Sequence, residues 1–254
     1  MSQPLISVIM PAYNGEQYIA GALNSLLREA GLNLDIIVVD DGSTDGTGEI
    51  VSHYVVSHPV VRLINGPHAG VSQARNTGLA AVPEQARYIT FLDCDDLNSP
   101  GRIKRQLDMM RSDPGLGCVM GLMQLFESAD EENCRPLPGS KTMIVRGVQL
   151  SAVLFSREVF KQIGHFNEQM QHGEDTDFFL RLLEAKVPYA LDEEVAVMYR
   201  RHLNNMTNDT VETRRGFIDA IRRSLARRRE NGSVVDLGEL FKTRGNAEEI
   251  FSNA

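Results

Sequence analysis

Cysteine is scarce in this sequence, and long apolar runs are missing from it. The three cysteines, Cys94, Cys118 and Cys134, are odd in number and match no zinc-binding spacing, which argues against a disulfide framework and favours a reducing cytosol. No uninterrupted apolar stretch approaches the roughly 20 residues that a membrane-spanning helix needs. The first residues also lack the basic start and the longer apolar run of a signal peptide. We therefore expect a cytoplasmic protein, for which any membrane contact is peripheral.

Positive charge is also in deficit, because 26 lysines and arginines face 34 acidic residues and leave a formal net charge of −8. That balance argues against nucleic acid as a partner of the whole molecule. The sequence shows no internal repeat and no low-complexity segment. Its 254 residues, 42% of them hydrophobic, suit one globular domain or one domain with a smaller annex.

The first hundred residues alternate short apolar runs with segments of helical spacing. The predicted strands are Ile6–Met10, Ile36–Val39, Val60–Ile64 and Tyr88–Leu92, and the predicted helices between them are Tyr18–Ala30, Gly46–His58 and Val71–Val82. This order is typical of an α/β fold with a mostly parallel central sheet flanked by helices. The strands are almost wholly apolar, as are strands that a sheet buries on both faces.

Beyond a helix predicted at Gly101–Arg111 the pattern is less regular. It predicts strands at Cys118–Phe126, Leu150–Phe155, Tyr189–Leu191 and Val195–Tyr199, helices at Arg157–Ile163, Thr176–Ala185 and Glu212–Glu230, and a mobile polar loop over Glu127–Lys141. The tail after Asn231 is weakly patterned, and we expect it to be mobile.

Polar residues directly follow three of the predicted strands. Pro11–Asn14 follows the first strand, Asp40–Ser43 the second and Asp93–Asp96 the fourth. Ligands of open α/β sheets bind beyond the carboxyl ends of the strands. These three clusters therefore predict one site.

The acidic run after the fourth predicted strand is the strongest local signal. Its three carboxylates, Asp93, Asp95 and Asp96, repel one another unless a cation or hydrogen bonds offset the charge. Alternate side chains share a face at a strand end, so Asp93 and Asp95 could converge on one ion while Asp96 turns toward the loop. Ligands that are all oxygens favour Mg²⁺ or Mn²⁺. The alternative is a solvated acidic turn that caps the next helix.

The cluster after the second strand offers a carboxylate for a nucleobase or a ribose. Asp41 could accept hydrogen bonds from either group, and Tyr13 could stack on a base. The alternative is a glycine-rich turn in which Ser43 or Thr44 caps the following helix. A calcium loop is rejected, because its twelfth position would be Ser52 instead of a glutamate.

Three further charged positions have both a functional and an ordinary interpretation. Arg75 could brace the acidic run or a diphosphate, or it could be a solvated arginine. The acidic run Glu174–Asp177 could supply a general base or could cap a helix. His202, after the last predicted strand, could contact a metal or a diphosphate, or it could be solvated.

Taken together and in order, these segments resemble the family 2 glycosyltransferases, which adopt the A-type glycosyltransferase fold. The matching segments are ISVIMPAYN, DIIVVDDGSTDGT, GVSQARNTGL, YITFLDCDDL, GEDTDFFLRL and YRRH. They extend from Ile6 to His202, and their joint order and spacing make the resemblance specific.

For donor binding, the resemblance implies that Pro11 and Tyr13 lie in the loop that contacts the base. It implies that Asp41 reads the nucleobase, which is commonly uracil, and that Arg75 lies near the diphosphate. Asp93 and Asp95 match the Asp-x-Asp motif of the family, with Asp95 as the more direct ligand of Mn²⁺ or Mg²⁺.

For catalysis, the resemblance implies that Asp175 is the base, with Glu174 beside it serving the acceptor or the structure. His202 matches a position that in some members helps to hold the metal or the diphosphate. The activity implied is inverting transfer of a sugar from a nucleoside-diphosphate donor, with UDP expected, to a hydroxyl of a glycan or of a lipid-linked acceptor.

This resemblance suggests a division of the chain. Residues 1–112 would form the half that binds the nucleotide sugar, residues 113–208 the half with the acceptor and the base, and residues 209–254 a helical extension. The arginine-rich helix at residues 212–230 either packs on the domain with a solvated basic face or contacts an anionic membrane surface.

Two rival functions remain open. A nucleotidyltransferase would be expected to carry a basic, glycine-rich phosphate loop after the first strand, whereas this chain has PAYNGEQY without lysine or arginine. A non-catalytic nucleotide-sugar sensor would keep the binding residues and could lose the base. The presence of Asp175 favours the enzyme.

Overall fold

A computed structural model describes residues 3–232 of the chain. The helices are α1 (Ile19–Leu27), α2 (Thr47–Ser57), α3 (Val71–Ala80), α4 (Arg102–Ser112), α5 (Arg157–Ile163), α6 (Glu174–Glu184) and α7 (Thr210–Asn231). The strands are β1 (Leu5–Ala12), β2 (Asn33–Asp40), β3 (Val61–Asn65), β4 (Ala86–Phe91), β5 (Leu97–Asn98), β6 (Cys118–Phe126), β7 (Ala129–Asp130), β8 (Arg135–Pro136), β9 (Thr142–Val145), β10 (Val153–Ser156) and β11 (Tyr189–Arg200). The tail predicted after Asn231 lies, from residue 233 onward, outside the described residues.

One nine-stranded sheet has the order β3-β2-β1-β4-β10-β6-β11-β5, with β9 paired to β6. The first four strands of that order are parallel, and β11 runs parallel to β6. Strand β10 joins the two parallel parts by pairing antiparallel with β4 and β6. The predicted α/β class is therefore confirmed.

Side chains alternate between two cores, one on each face of the sheet. In β1, Ile9 belongs to one buried cluster while Val8 and Met10 belong to the other. Helices α3, α5 and α6 pack on the face of Ile9, and helices α1, α2 and α4 pack on the opposite face. Because both faces are covered, the central strands are mostly apolar, as the sequence pattern predicted.

Three segments differ from their sequence predictions. The loop predicted over Glu127–Lys141 contains the β7–β8 hairpin, which is too short to show an alternating pattern. The two strands predicted between Tyr189 and Tyr199 form one strand, whose pairing with β6 shifts register between Leu191 and Val197. The strand predicted over Leu150–Phe155 begins only at Val153, because Leu150–Ala152 forms a 3-10 turn ahead of β10.

No helix in the described part of the chain combines the length and the apolar character needed to cross a bilayer.

Candidate active site

A cavity of about 690 Å³ opens where β1, β2 and β4 end. All of the residues to which the resemblance gives a role at the site line it: Pro11, Tyr13, Asp41, Arg75, Asp93, Asp95, Glu174, Asp175 and His202. Parallel strands bring their carboxyl ends to one edge, and β11 brings His202 to the same opening from the far half of the chain. The structure therefore places residues from six sequence segments around one space.

Two loops at this edge are fastened to each other through side chains. The amide of Asn14 donates to Ser43 Oγ at 2.9 Å, and the amide of Gly15 donates to Thr47 Oγ1 at 2.8 Å. In return, Asn14 Oδ1 accepts from the amide of Thr44 at 2.8 Å. Ser43 thus accepts a hydrogen bond from the loop after β1. The alternative in which Ser43 or Thr44 caps α2 is wrong, since the N-cap is Gly46 and no side chain caps this helix.

Asp41 is buried and held by the backbone of the loop that precedes α3. Its Oδ1 accepts from the amide of Ala69 at 2.8 Å, and its Oδ2 accepts from the amide of Gly70 at 2.7 Å. Gly70 has φ +96, a conformation that side-chain-bearing residues rarely adopt. Each carboxylate oxygen keeps a further lone pair, so Asp41 can accept an N–H from a ligand in the cavity.

The ring of Tyr13 lies at the cavity wall and is stacked on the ring of His68. The two ring centroids are 4.2 Å apart with an interplanar angle of 25°. Both residues line the cavity and present flat faces to which a base can stack. The sequence interpretation missed His68, whose signal is only its place in the loop before α3.

Arg75 is buried on α3 and bonded to three carboxylates. Its Nη1 donates to Glu174 and to Asp175, each at 2.8 Å, and its Nη2 donates to Asp93 at 3.1 Å. The guanidinium also lies 5.6 Å from the ring centroid of Phe166. The alternative of a solvated arginine is therefore wrong, and Arg75 ties the acidic run after β4 to the start of α6.

One positive charge against three carboxylates leaves this group with excess negative charge. Burial raises the pKa of Asp175 to about 8, although Arg75 acts in the opposite direction. Burial also raises the pKa of Asp93, where Arg75 again opposes the change. A carboxyl whose pKa lies near neutrality is suited to take a proton from a reacting group.

His202 and Asp95 meet on the other side of the acidic run. His202 Nε2 lies 2.9 Å from Asp95 Oδ2. Asn205, which the sequence interpretation missed, places its Nδ2 3.2 Å from the same ring nitrogen and 3.5 Å from Asp95 Oδ2. Its Oδ1 accepts from the backbone amide of His202 at 2.6 Å. The signal for Asn205 in the sequence was a second polar side chain three residues after His202.

The three aspartates of the acidic run face different partners. Asp93 faces Arg75 and Asp95 faces His202, while Asp96 is buried and accepts from the backbone amide of Arg200 at 3.0 Å. Burial and the neighbouring Asp95 raise the pKa of Asp96 well above its usual range. Asp96 therefore belongs to the packing between β4 and β11. Its hydrogen bond to the backbone offsets part of the charge repulsion within the acidic run.

Among residues 3–232, no group of three histidine, cysteine or acidic side chains is preformed to hold a metal ion. The pair formed by Asp95 and His202 still fits a divalent cation of the Mg²⁺ or Mn²⁺ type. Such ions are commonly bound by one or two carboxylates, with substrate phosphates completing the shell. A two-residue site beside an open cavity leaves room for those phosphate oxygens.

The sequence of the chain is similar to those of several known proteins. The family model described as glycosyl transferase family 2 matches residues 7–166, which is more than half of the chain. Chondroitin synthase of Escherichia coli is 30% identical over 188 residues, which cover 71% of this chain and 27% of that protein. The uncharacterized glycosyltransferase EpsJ of Bacillus subtilis is 29% identical over 222 residues, which cover 80% of this chain and 63% of that protein. The chain thus spans less than two thirds of the length of either relative.

Two solved structures share the fold at low sequence identity. A crystal structure of S. aureus TarS in complex with UDP-GlcNAc has a TM-score of 0.69 and 19% identity, covering 86% of this chain and 65% of that one. The mannosyltransferase PcManGT of Pyrobaculum calidifontis, in complex with GDP-Man and Mn²⁺, has a TM-score of 0.68 and 18% identity. The match covers 88% of this chain and 65% of that one. These likenesses confirm the predicted A-type glycosyltransferase fold.

Proposed function

The chain belongs to glycosyl transferase family 2, and we propose that it transfers a sugar from a nucleoside-diphosphate donor to an acceptor hydroxyl with inversion at the anomeric carbon. The observation that carries this proposal is the single cavity in which Asp41, Asp95 and Asp175 all take part. A base-reading carboxylate, a metal-binding pair and a proton acceptor within one space are the parts that this reaction needs.

We assign donor binding to the edge formed by β1 and β2. Tyr13 stacks on the base, Pro11 lines the same wall, and Asp41 accepts an N–H of the base. Uracil and guanine both present such a donor, and the two solved structures hold UDP-GlcNAc and GDP-Man. We propose a UDP sugar, whose uracil would donate its one ring N–H to Asp41.

Asp95 and His202 would hold the divalent cation, which is Mn²⁺ or Mg²⁺. When bound, the cation offsets the negative charge that grows on the leaving diphosphate. In this assignment Arg75 lies near the diphosphate, and Asp93 keeps its guanidinium in place.

Asp175 acts as the general base, and Glu174 orients it from the adjacent position through their shared contact with Arg75. The acceptor O–H gives its proton to the carboxylate as the oxygen bonds to the anomeric carbon. The bond from that carbon to the diphosphate oxygen breaks, and the diphosphate leaves with the electron pair. Direct displacement inverts the configuration of the sugar.

For the acceptor, we propose a glycan or a lipid-linked saccharide reached from the cytoplasm. Helix α7 presents Val211, Ile218 and Leu225 to solvent at a spacing of seven residues, with Arg214 and Arg222 exposed on the same face. This face suits an anionic bilayer surface. Co-sedimentation with anionic and with neutral vesicles tests it, and absence of binding to anionic vesicles at low salt would exclude the membrane contact.

A thermal-shift panel of nucleoside-diphosphate sugars, each with and without Mn²⁺, tests the donor assignment. A donor that binds the folded protein raises Tm by mass action. We expect one UDP sugar to raise Tm in Mn²⁺ and to do so much less in EDTA. Release of UDP on adding acceptors would then separate the enzyme from a non-catalytic sensor, whereas release of pyrophosphate from a nucleoside triphosphate would support a nucleotidyltransferase.

A further inference from the structure

Helix α7 lies beyond the family match, yet it touches the turn that carries the proposed base. That turn is His172–Gly173, and α6 begins at the next residue with Glu174 and Asp175. Gly173 has φ +77 and is the N-cap of α6. A displacement of this turn would therefore also displace Asp175, which lies two residues after Gly173.

The contact between α7 and this turn is made by backbone on backbone. A Cβ built on Gly173 would lie 2.5 Å from the carbonyl carbon and oxygen of Gly216 in α7. A Cβ built on Gly216 would lie 2.5 Å from the carbonyl carbon of His172 and 2.7 Å from its Cβ. Neither contact ends on a flexible side-chain tip, so neither glycine position has room for a side chain.

A glycine inside a helix is costly unless such a contact requires it. Gly216 is the seventh residue of the 22-residue α7. Replacing glycine by alanine at an ordinary helix position stabilises the helix by about 1 kcal/mol. The close approach to His172 therefore explains why α7 carries a glycine at this position.

Further contacts hold α7 against α6 along its length. Arg227 donates to Asp177 at 2.8 Å and to both carboxylate oxygens of Glu184, at 2.7 and 3.1 Å. Met170, Leu180 and Ala220 form a small buried cluster that joins the preceding loop, α6 and α7. The helix is thus fixed to α6 on the C-terminal side of the Gly216 contact.

We propose that Gly216 is a positioning residue for Asp175: it lets α7 seat directly on the His172–Gly173 turn and so sets where Asp175 meets Arg75. This inference rests on the proposed role of Asp175 as the base. Displacing the turn would move the base away from the acceptor while leaving Asp41, Asp95 and His202 in place. The donor site and the base would then respond differently to the same substitution.

The test is Gly216→Ala, with Glu230→Ala at an exposed position of the same helix as the matched control. We expect kcat for UDP release, with the donor that the panel identifies, to fall on the order of 10- to 100-fold, as a base misplaced by about 1 Å would cause. The Kd of UDP in Mn²⁺ should stay within about twofold of wild type. A larger side chain, in Gly216→Val, should lower kcat further. Equal kcat values for Gly216→Ala and Glu230→Ala would overturn the inference.

Hydrogen exchange tests the contact between α7 and the His172–Gly173 turn without depending on turnover. The amide of Asp177 donates to Gly173 O at 2.9 Å, so a displaced turn should exchange faster in peptides covering residues 172–178 and not in those covering β1 and β2. Unchanged exchange would overturn the contact even if no donor were turned over. If Gly216→Ala does not fold, Arg227→Gln is the second variant. It should show the same lowered kcat and faster exchange over residues 172–178, at smaller amplitude. A wild-type kcat together with wild-type exchange in Arg227→Gln would also count against the inference.

Discussion

Replacing Arg75 by methionine would remove the only guanidinium that touches Asp93, Glu174 and Asp175 among the residues described. Arg75 is 3% exposed, so water cannot take its place without rearrangement. Removing one partner of a buried ion pair typically costs about 3–5 kcal/mol, because the remaining charge stays buried without compensation. We expect Arg75→Met to lower the free energy of unfolding by about that much at pH 8.

The loss should shrink as the pH falls. Asp175 has a folded-state pKa of about 8, well above the value of an unfolded aspartate, so the folded protein binds protons more readily between pH 4 and 8. Arg75 opposes the raised pKa values of Asp93 and Asp175, so without Arg75 the carboxyls take up protons at still higher pH. Protonation removes the uncompensated charge, and the difference from wild type should be smaller at pH 5 than at pH 8.

Urea unfolding of wild type and Arg75→Met at pH 5 and pH 8 gives the measurement. The control is Arg223→Met, which removes an i,i+4 pair with Asp219 whose side chains are 38% and 47% exposed. Exposed pairs of that kind contribute about 0.3–0.5 kcal/mol, and little pH dependence is expected. A loss below about 1 kcal/mol for Arg75→Met at pH 8, or a loss that grows toward pH 5, would refute the reasoning.

Two further predictions concern donor binding. Asp95→Ala should abolish most of the gain in UDP affinity that Mn²⁺ provides, since it removes a proposed metal ligand. Calorimetric titration with UDP in Mn²⁺ and in EDTA measures this gain. An unchanged Mn²⁺ dependence would remove Asp95 from the site. Asp41→Asn should weaken UDP binding on the order of 10- to 100-fold, because an amide nitrogen replaces one carboxylate oxygen that accepts backbone and ligand hydrogen bonds. Asp108→Asn on the exposed part of α4 is the control, and equal affinities in the two variants would count against base recognition by Asp41.

Local patterns predicted the central architecture well because the strands are buried on both faces. The interval Cys118–Phe126 was predicted as a strand with the bounds of β6, and Arg157–Ile163 as a helix with the bounds of α5. The two-residue strands β5, β7 and β8 were missed, since neither alternation nor helical spacing can be recognised over two residues. Their pairing depends on tertiary contacts.

The positions of the site residues followed from strand ends, whereas their partners did not. The sequence indicated that Asp93 and Asp95 lie at one edge, but not that one faces Arg75 and the other faces His202. The contact between Gly173 and Gly216 was also out of reach. It joins residues 43 positions apart through backbone atoms, and a glycine within an arginine-rich helix carries no local signal of what it touches.

The most direct test of the central claim is the behaviour of Asp175→Asn under saturating donor and Mn²⁺. The amide nearly preserves the size of the side chain but cannot accept the acceptor's proton. We predict that UDP release falls by at least the 100-fold that a general base typically contributes, while the Kd of UDP stays within about twofold of wild type. A variant that retains most of its turnover, or that loses donor affinity in proportion to its activity, would contradict the assignment of Asp175 as the base.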